Sequence, residues 1–132
     1  MLIKLIKFTI IDDFLLNIEK LNEFGIEISE EVKQGKAILD VYTIWCGPCK
    51  FITPILEKLK EEGLIHLIKT DLDQNRPLGE HFGITAIPTL LFFNNGELLN
   101  HPIEVEGQLL VKNGMMVGAA GEQILREIVE KM

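Results

Sequence analysis

Along the chain, short continuous apolar runs alternate with stretches of helical period. Residues 2–11 suit a first strand. Over residues 12–24, Phe14, Leu15, Ile18 and Leu21 recur at helical spacing behind an acidic start, and Gly25 ends the run. Residues 26–36 are ambiguous, although SEEVKQG suits a helical turn with Ser29 as its cap. Three runs then have strand character: AILDVYTI, LIHLIKTDL and TLLFF. Their near-continuous Val, Ile and Leu, without clean alternation, predicts strands covered on both faces in a layered α/β domain. RPLGEHFG supplies a short helix or turn that stops at Gly83, and Ile124, Leu125, Ile128 and Val129 make the apolar stripe of a closing helix.

Residues 94–118 do not fit so simple an alternation. Asn95-Gly96 and Asn113-Gly114 each stand between apolar runs, a strong hairpin signal, so an extra hairpin is expected here rather than a wandering loop. No internal repeat, low-complexity tract or linker divides the chain, and its 132 residues, 47% of them apolar, predict one domain over residues 1–132 with a core of useful size.

Charge narrows the partners. A net charge of −7, from 13 basic and 20 acidic side chains, argues against a surface that tracks phosphate, so nucleic acid is not expected as a partner. The apolar N-terminus is interrupted by Lys4 and Lys7, closed by Asp12 and Asp13, and followed by no small-residue cleavage site, which opposes a secretory signal. No stretch reaches the ~18 to 20 apolar residues of a bilayer-spanning helix, so no membrane association is expected. The expectation is a cytoplasmic protein, in a compartment where thiols stay reduced.

The chemistry concentrates in WCGPCK. Both cysteines of the chain, Cys46 and Cys49, flank Gly47 and Pro48 at the start of a helical pattern with Phe51, Ile52, Ile55, Leu56 and Leu59 on one side. Cys46 falls beside a helix N-terminus, whose unpaired N–H groups and dipole favour a thiolate and so a nucleophile. Cys49, one turn inside, is placed to resolve the mixed disulfide that Cys46 forms. Pro48 limits backbone freedom between the sulfurs, and Trp45 offers a flat apolar contact to a docking protein. Three other readings compete. A structural zinc site is disfavoured by having only two cysteines and the scattered His66, His81 and His101. Two inert buried cysteines are disfavoured by the Gly-Pro turn and helix start, and a structural disulfide by compartment and by its tiny loop.

The sequence WCGPCK at residues 45–50 resembles the active-site signature of the thioredoxin family, and the resemblance covers about residues 37–93 and again from about residue 115 to the end. It implies a thioredoxin fold, a central mixed sheet flanked by helices, with an insertion of roughly 15 residues near 94–114 before the last strand. Asp40 matches the buried carboxylate that the family keeps behind the dithiol, as proton acceptor and donor to Cys49, and Lys69 its partner. Buried among Ile38, Leu39, Val41 and Tyr42, an ionised Asp40 is disfavoured and its pKa should rise; the plainer alternatives are a solvent-facing strand residue and an ordinary edge lysine. IPT at 87–89 matches the cis-proline loop, which makes Pro88 cis and sets the Ile87 backbone beside Cys46 to pair with an extended substrate. Leu72, Ile87 and Gly118 match the family's shallow docking surface. Pro54 alone would end the helix, whereas the family carries a proline there as a kink.

The function implied is a protein-disulfide reductase: disulfide-containing proteins as substrates, a thioredoxin reductase-type donor upstream, and no cofactor or metal beyond the Cys46/Cys49 couple. A monomer is expected, with self-association through the insertion as a further option. The second reading is a thioredoxin-like binding or redox-switch module, or an isomerase, that serves a dedicated partner.

Overall fold

The computed structural model describes residues 17–132. The strand expected at residues 2–11 and the opening of the helix expected at 12–24 lie outside the described residues.

The strands at Lys36–Tyr42 and Thr89–Asn94 are covered on both faces, as expected, whereas the one at His66–Asp71, at the sheet edge, is mostly half-buried with Lys69 exposed. β1 (Lys36–Tyr42) is buried from residue 37 to residue 41. Ile38 points into one hydrophobic cluster, while Ala37, Leu39 and Val41 point into the other, the period-two alternation of a strand. β2 (His66–Asp71) runs parallel to β1, which requires the crossover that α1 (Gly47–Glu61) provides. β3 (Thr89–Asn94) lies antiparallel on the other side of β1 and repeats its two-faced pattern. Leu90 and Phe92 meet Ile52, Leu56 and Leu59 of α1 and Leu125, Ile128 and Val129 of α3 (Glu122–Lys131). Leu91 and Phe93 meet Ile18, Leu21 and Leu78, the last from α2 (Arg76–Phe82). Each such side chain, fully buried, contributes roughly 1.5–3 kcal/mol.

Several local expectations are refined. Residues Ile18–Phe24 form a 3-10 rather than an α-helix; its three-residue repeat stacks Ile18 and Leu21 on one buried line. The Asn17 side chain caps its start by accepting from the Glu19 N–H, and Gly25, at φ 77°, ends it. A turn does form at Glu31–Lys33, but Ser29 is not its cap: Glu30 holds that position and makes no side-chain capping bond. α1 continues through Pro54, because Leu56 and Leu59 beyond it are already locked into the core. Phe51 departs from the expected apolar face and stands 57% exposed.

The insertion does not lie between the last two strands; it splits the last strand itself. β4 (Glu97–Leu98) pairs with the end of β3 and β7 (Met115–Val117) with its beginning. At Phe92 the two halves meet. Leu99 donates its backbone N–H to the Phe92 carbonyl, and Phe92 donates its own to Gly114. Between them the chain makes a separate hairpin of β5 (Ile103–Val105) and β6 (Gln108–Val111). Ile103, Val105 and Val111 bury themselves in the same cluster as α3. A pair of added strands returns the chain in its original direction, so β7 stays antiparallel to β3, as expected.

Two-residue turns make this path possible. Asn95-Gly96, Glu106-Gly107 and Asn113-Gly114 all have positive φ at both positions, the type I′ geometry that suits the strand twist. The two Asn-Gly turns are the expected ones. Asn95 also clamps its surroundings: its side-chain oxygen accepts from the Gly35 N–H and its own N–H donates to the Gly35 carbonyl, both at 2.8 Å.

Candidate active site

The site begins at the end of β1. The strand stops at Tyr42, and Cys46 becomes the N-cap of α1 with extended backbone angles, φ −88° and ψ 116°. Gly47 and Pro48 fill the first helical positions, where a missing N–H is harmless and proline's φ already suits a helix. The Cys46 sulfur acts as a capping group, accepting from the Cys49 N–H at 3.1 Å. Cys46 and Cys49 are joined as a disulfide with their Cα atoms 5.3 Å apart. Exposure barely separates the two, at 4% and 2%; position does, since the Cys46 sulfur is the one at the N-cap and accepts an N–H of the first turn.

Behind the disulfide, β1 places Asp40 fully inside the protein. Burial raises its pKa above the ordinary carboxylate range, opposed by a hydrogen bond from Thr53 and by the positive charge of Lys69. The Thr53 hydroxyl donates to Oδ2 of Asp40 at 2.7 Å, and the buried Oδ1 has no hydrogen-bond partner among the described residues. The expected Asp40–Lys69 pair is corrected in one respect. The two residues are register partners across β1 and β2, but the Lys69 ammonium is bonded to Glu57 of α1, at 2.7 Å. The exposed lysine reaches the nearer, hydrated carboxylate, and the interior one takes a neutral hydroxyl instead.

The remaining expected residues come from three other segments of the chain and from the position just before Cys46. Trp45 is 68% exposed and its indole N–H donates to Oδ2 of Asp73 at 2.8 Å. Asp73 stands in the 3-10 turn Leu72–Gln74, which Asp71 caps by accepting from the Asp73 N–H. The Ile87-Pro88 bond is cis. Pro88 is buried, Ile87 half-buried, and the Pro88 carbonyl accepts from the Gly118 N–H at 2.8 Å, which brings these three together. Gly118 has φ +97°, a conformation that side chains disfavour. Leu72 is half-buried: it presses on Gly79, where a Cβ would lie 2.7 Å from its Cδ1, and it lines a surface cavity of about 420 Å³ with Asp73, Arg76 and Ile84.

Thr53, Asp73 and Ile44 were not anticipated as parts of the site. Ile44, Trp45, Phe51 and Val117 are exposed large apolar side chains, and Ile44 lines a second cavity together with Cys49. That cavity, of about 350 Å³, is also lined by Tyr42, Thr43 and Thr53. Among the described residues no group of three or more His, Cys, Asp or Glu side chains is placed to hold a metal ion. Nor is any described helix long and apolar enough to cross a membrane.

This geometry is that of a dithiol-disulfide centre on a mixed sheet, and comparison with known proteins agrees. The family model described as Thioredoxin matches residues 17–116. Thioredoxin from Bacillus subtilis is 32% identical over 105 residues, covering 78% of this chain and 88% of that protein. Thioredoxin from Staphylococcus saprophyticus is 32% identical over 104 residues, covering 77% and 86%. Among solved structures, a mutant thioredoxin from Halobacterium salinarum superposes with a TM-score of 0.61 at 27% identity, over 77% of this chain and 78% of the other. The chain belongs to the thioredoxin family, has its fold, and is a thiol-disulfide oxidoreductase of the kind that acts on disulfide-containing substrates.

Proposed function

We propose that the protein works as a protein-disulfide reductase, with Cys46 as nucleophile and Cys49 as resolving thiol. The observation that carries the assignment of roles is the capping geometry: the Cys46 sulfur already accepts an N–H of the helix start, a position that favours its thiolate in the reduced protein.

In the first step the Cys46 thiolate attacks one sulfur of the substrate disulfide, a Cys46–substrate bond forms, and the other substrate sulfur leaves as a thiolate. Cys49 then gives its proton to Asp40 and attacks the Cys46 sulfur. The Cys46–Cys49 bond forms, the mixed disulfide breaks, and the second substrate sulfur departs with the electron pair. Two electrons have moved from the dithiol to the substrate. Cys49 is held three residues away on the same helix, so the second step is intramolecular and outpaces attack by free thiols. The resulting disulfide is reduced again by an upstream thioredoxin reductase-type dithiol, which places the protein in an electron-transport chain with no cofactor of its own.

Trp45, Leu72, Ile87, Pro88 and Gly118 form the docking surface in this reading. The half-buried Ile87 backbone beside the cis peptide offers main-chain groups to an extended substrate segment. Lys69 acts on Asp40 through its charge, without a direct bond.

Two variants test the scheme. Cys46→Ser abolishes turnover of a disulfide-bonded protein supplied with a chemical dithiol, and Cys49→Ser accumulates a covalent complex with that protein, released by added reductant. Substantial turnover by Cys46→Ser overturns the assignment.

A further inference from the structure

We propose that Thr53 is a positioning residue for the proton transfer that accompanies resolution: its hydroxyl fixes the Asp40 carboxylate through Oδ2 and leaves Oδ1 as the acceptor for the Cys49 proton. The inference rests on the reading of Asp40 as the proton partner of Cys49.

Three observations carry it. The Thr53 Oγ1 to Asp40 Oδ2 bond, at 2.7 Å, is the one direct side-chain hydrogen bond seen on this carboxylate among the described residues, and Oδ1 is buried with no partner there. Thr53 lies four residues after Cys49 on α1, hence on the same helical face, and both line one cavity. The hydroxyl that holds the carboxylate is thus carried by the same helix, and lines the same cavity, as the resolving thiol. Other groups around Asp40 do not perform this task. Lys69 of β2 is engaged by Glu57 of α1, and both act on Asp40 only at a distance. Leu90, its register neighbour on β3, is apolar.

A hydroxyl donating to one carboxylate oxygen does two things. It selects one side-chain orientation from those a buried carboxylate would otherwise sample. It also favours the ionised form, the form that can take a proton, against the burial that disfavours it. Without the hydroxyl, Asp40 stays protonated to higher pH, and fewer molecules at a given pH hold a carboxylate ready for Cys49.

The test is the pH profile of single-turnover reduction of a disulfide-bonded protein by the pre-reduced full chain. Thr53→Val, which removes the hydroxyl at nearly constant shape, is expected to move the acid limb upward by about one pH unit and to slow the rate on that limb roughly tenfold. Thr53→Ala serves the same purpose should valine disturb folding. Thr53→Ser, which keeps the donor, retains the parent profile, and in an Asp40→Asn background the loss of the hydroxyl has no further effect on the profile. If Asp40→Asn removes the acid limb but neither hydroxyl-free variant moves it, the role of Thr53 is overturned while that of Asp40 stands. If Asp40→Asn leaves the limb intact, both are overturned.

Discussion

Oδ2 of Asp73 lies 2.8 Å from the indole nitrogen of Trp45 and accepts its N–H. A large side chain beside the disulfide, 68% exposed, is thus held by a residue from a different segment of the chain. Because Trp45 is the only tryptophan, the indole emission reports on this side chain alone. Asp73→Ala should lower the steady-state anisotropy of that emission and lower kcat/KM for a protein disulfide by a few-fold. The expected loss is about 0.5–1.5 kcal/mol, the usual net worth of one hydrogen bond. Unchanged anisotropy would show that the indole is held by packing and not by Asp73.

Asp40 predicts a pH dependence of stability with a definite sign. Its folded pKa is raised by burial above the unfolded value, so the folded protein keeps the proton to higher pH than the unfolded chain does. The contribution to stability is fully present below the ordinary carboxylate range and is lost as pH rises through the folded value. Asp40→Asn removes that loss. At neutral pH the variant should be more stable than the parent by roughly 1–3 kcal/mol, because a buried charge is no longer required. Near pH 3 the difference should shrink. Denaturant unfolding at both pH values, at constant m, decides it; a destabilised variant at neutral pH would mean that the ionised carboxylate is better solvated than its burial implies.

How far the site was legible in the sequence depended on whether its residues announce themselves locally. Cys46, Cys49 and Pro48 do, through spacing and helix-start chemistry, and the expected apolar faces of β1 and β3 were found as read. The cis peptide at Pro88 carries no local mark that a trans proline lacks, so it came only with the resemblance. Thr53 and Asp73 act across the fold, each on a partner in another element, and nothing in their own neighbourhood distinguishes them from an ordinary helix threonine or a turn aspartate. Lys69 stands opposite Asp40 in register, yet its long side chain follows solvent toward Glu57, a choice made by relative burial and invisible in the sequence. The Asn-Gly turns were visible as φ-positive pairs, whereas Glu106 adopts the same left-handed backbone without the asparagine that signals it.

That last difference is itself testable. Glu106 has φ 54°, a region that asparagine enters more readily than glutamate, so Glu106→Asn should stabilise the β5–β6 hairpin by roughly 0.5–1 kcal/mol. Gly114 behaves oppositely. At φ +76° it passes so close to the departing strand that a Cβ would lie 2.5 Å from Leu98 Cγ and 3.0 Å from the Leu99 carbonyl oxygen. Gly114→Ala combines a strained backbone with a clash at the point where the insertion leaves and rejoins the sheet, and should destabilise by about 2–4 kcal/mol. Thermal melts of the two variants should therefore move in opposite directions.

Whether the insertion is an appendage or part of the core follows from where its side chains go. Ile103 and Val105 are buried in the cluster that also holds Leu125, Ile128 and Val129 of α3. The hairpin is also tied to that helix by polar bonds: Lys131 Nζ donates to the Glu104 carbonyl at 2.7 Å, and the His101 ring lies 2.9 Å from the Lys131 carbonyl oxygen. An element attached in this way shares its buried core with α3. Ile103→Ala should then cost about 2–5 kcal/mol of global stability, as a core truncation does, whereas Leu109→Ala, on the exposed side of the same hairpin, should stay within about 0.5 kcal/mol of the parent. Amide exchange separates the alternatives further. In a core element, Ile103→Ala lowers the protection of α3 and β3 together; if protection falls in β5 and β6 alone, the hairpin folds as a separate unit and its contacts with α3 contribute little.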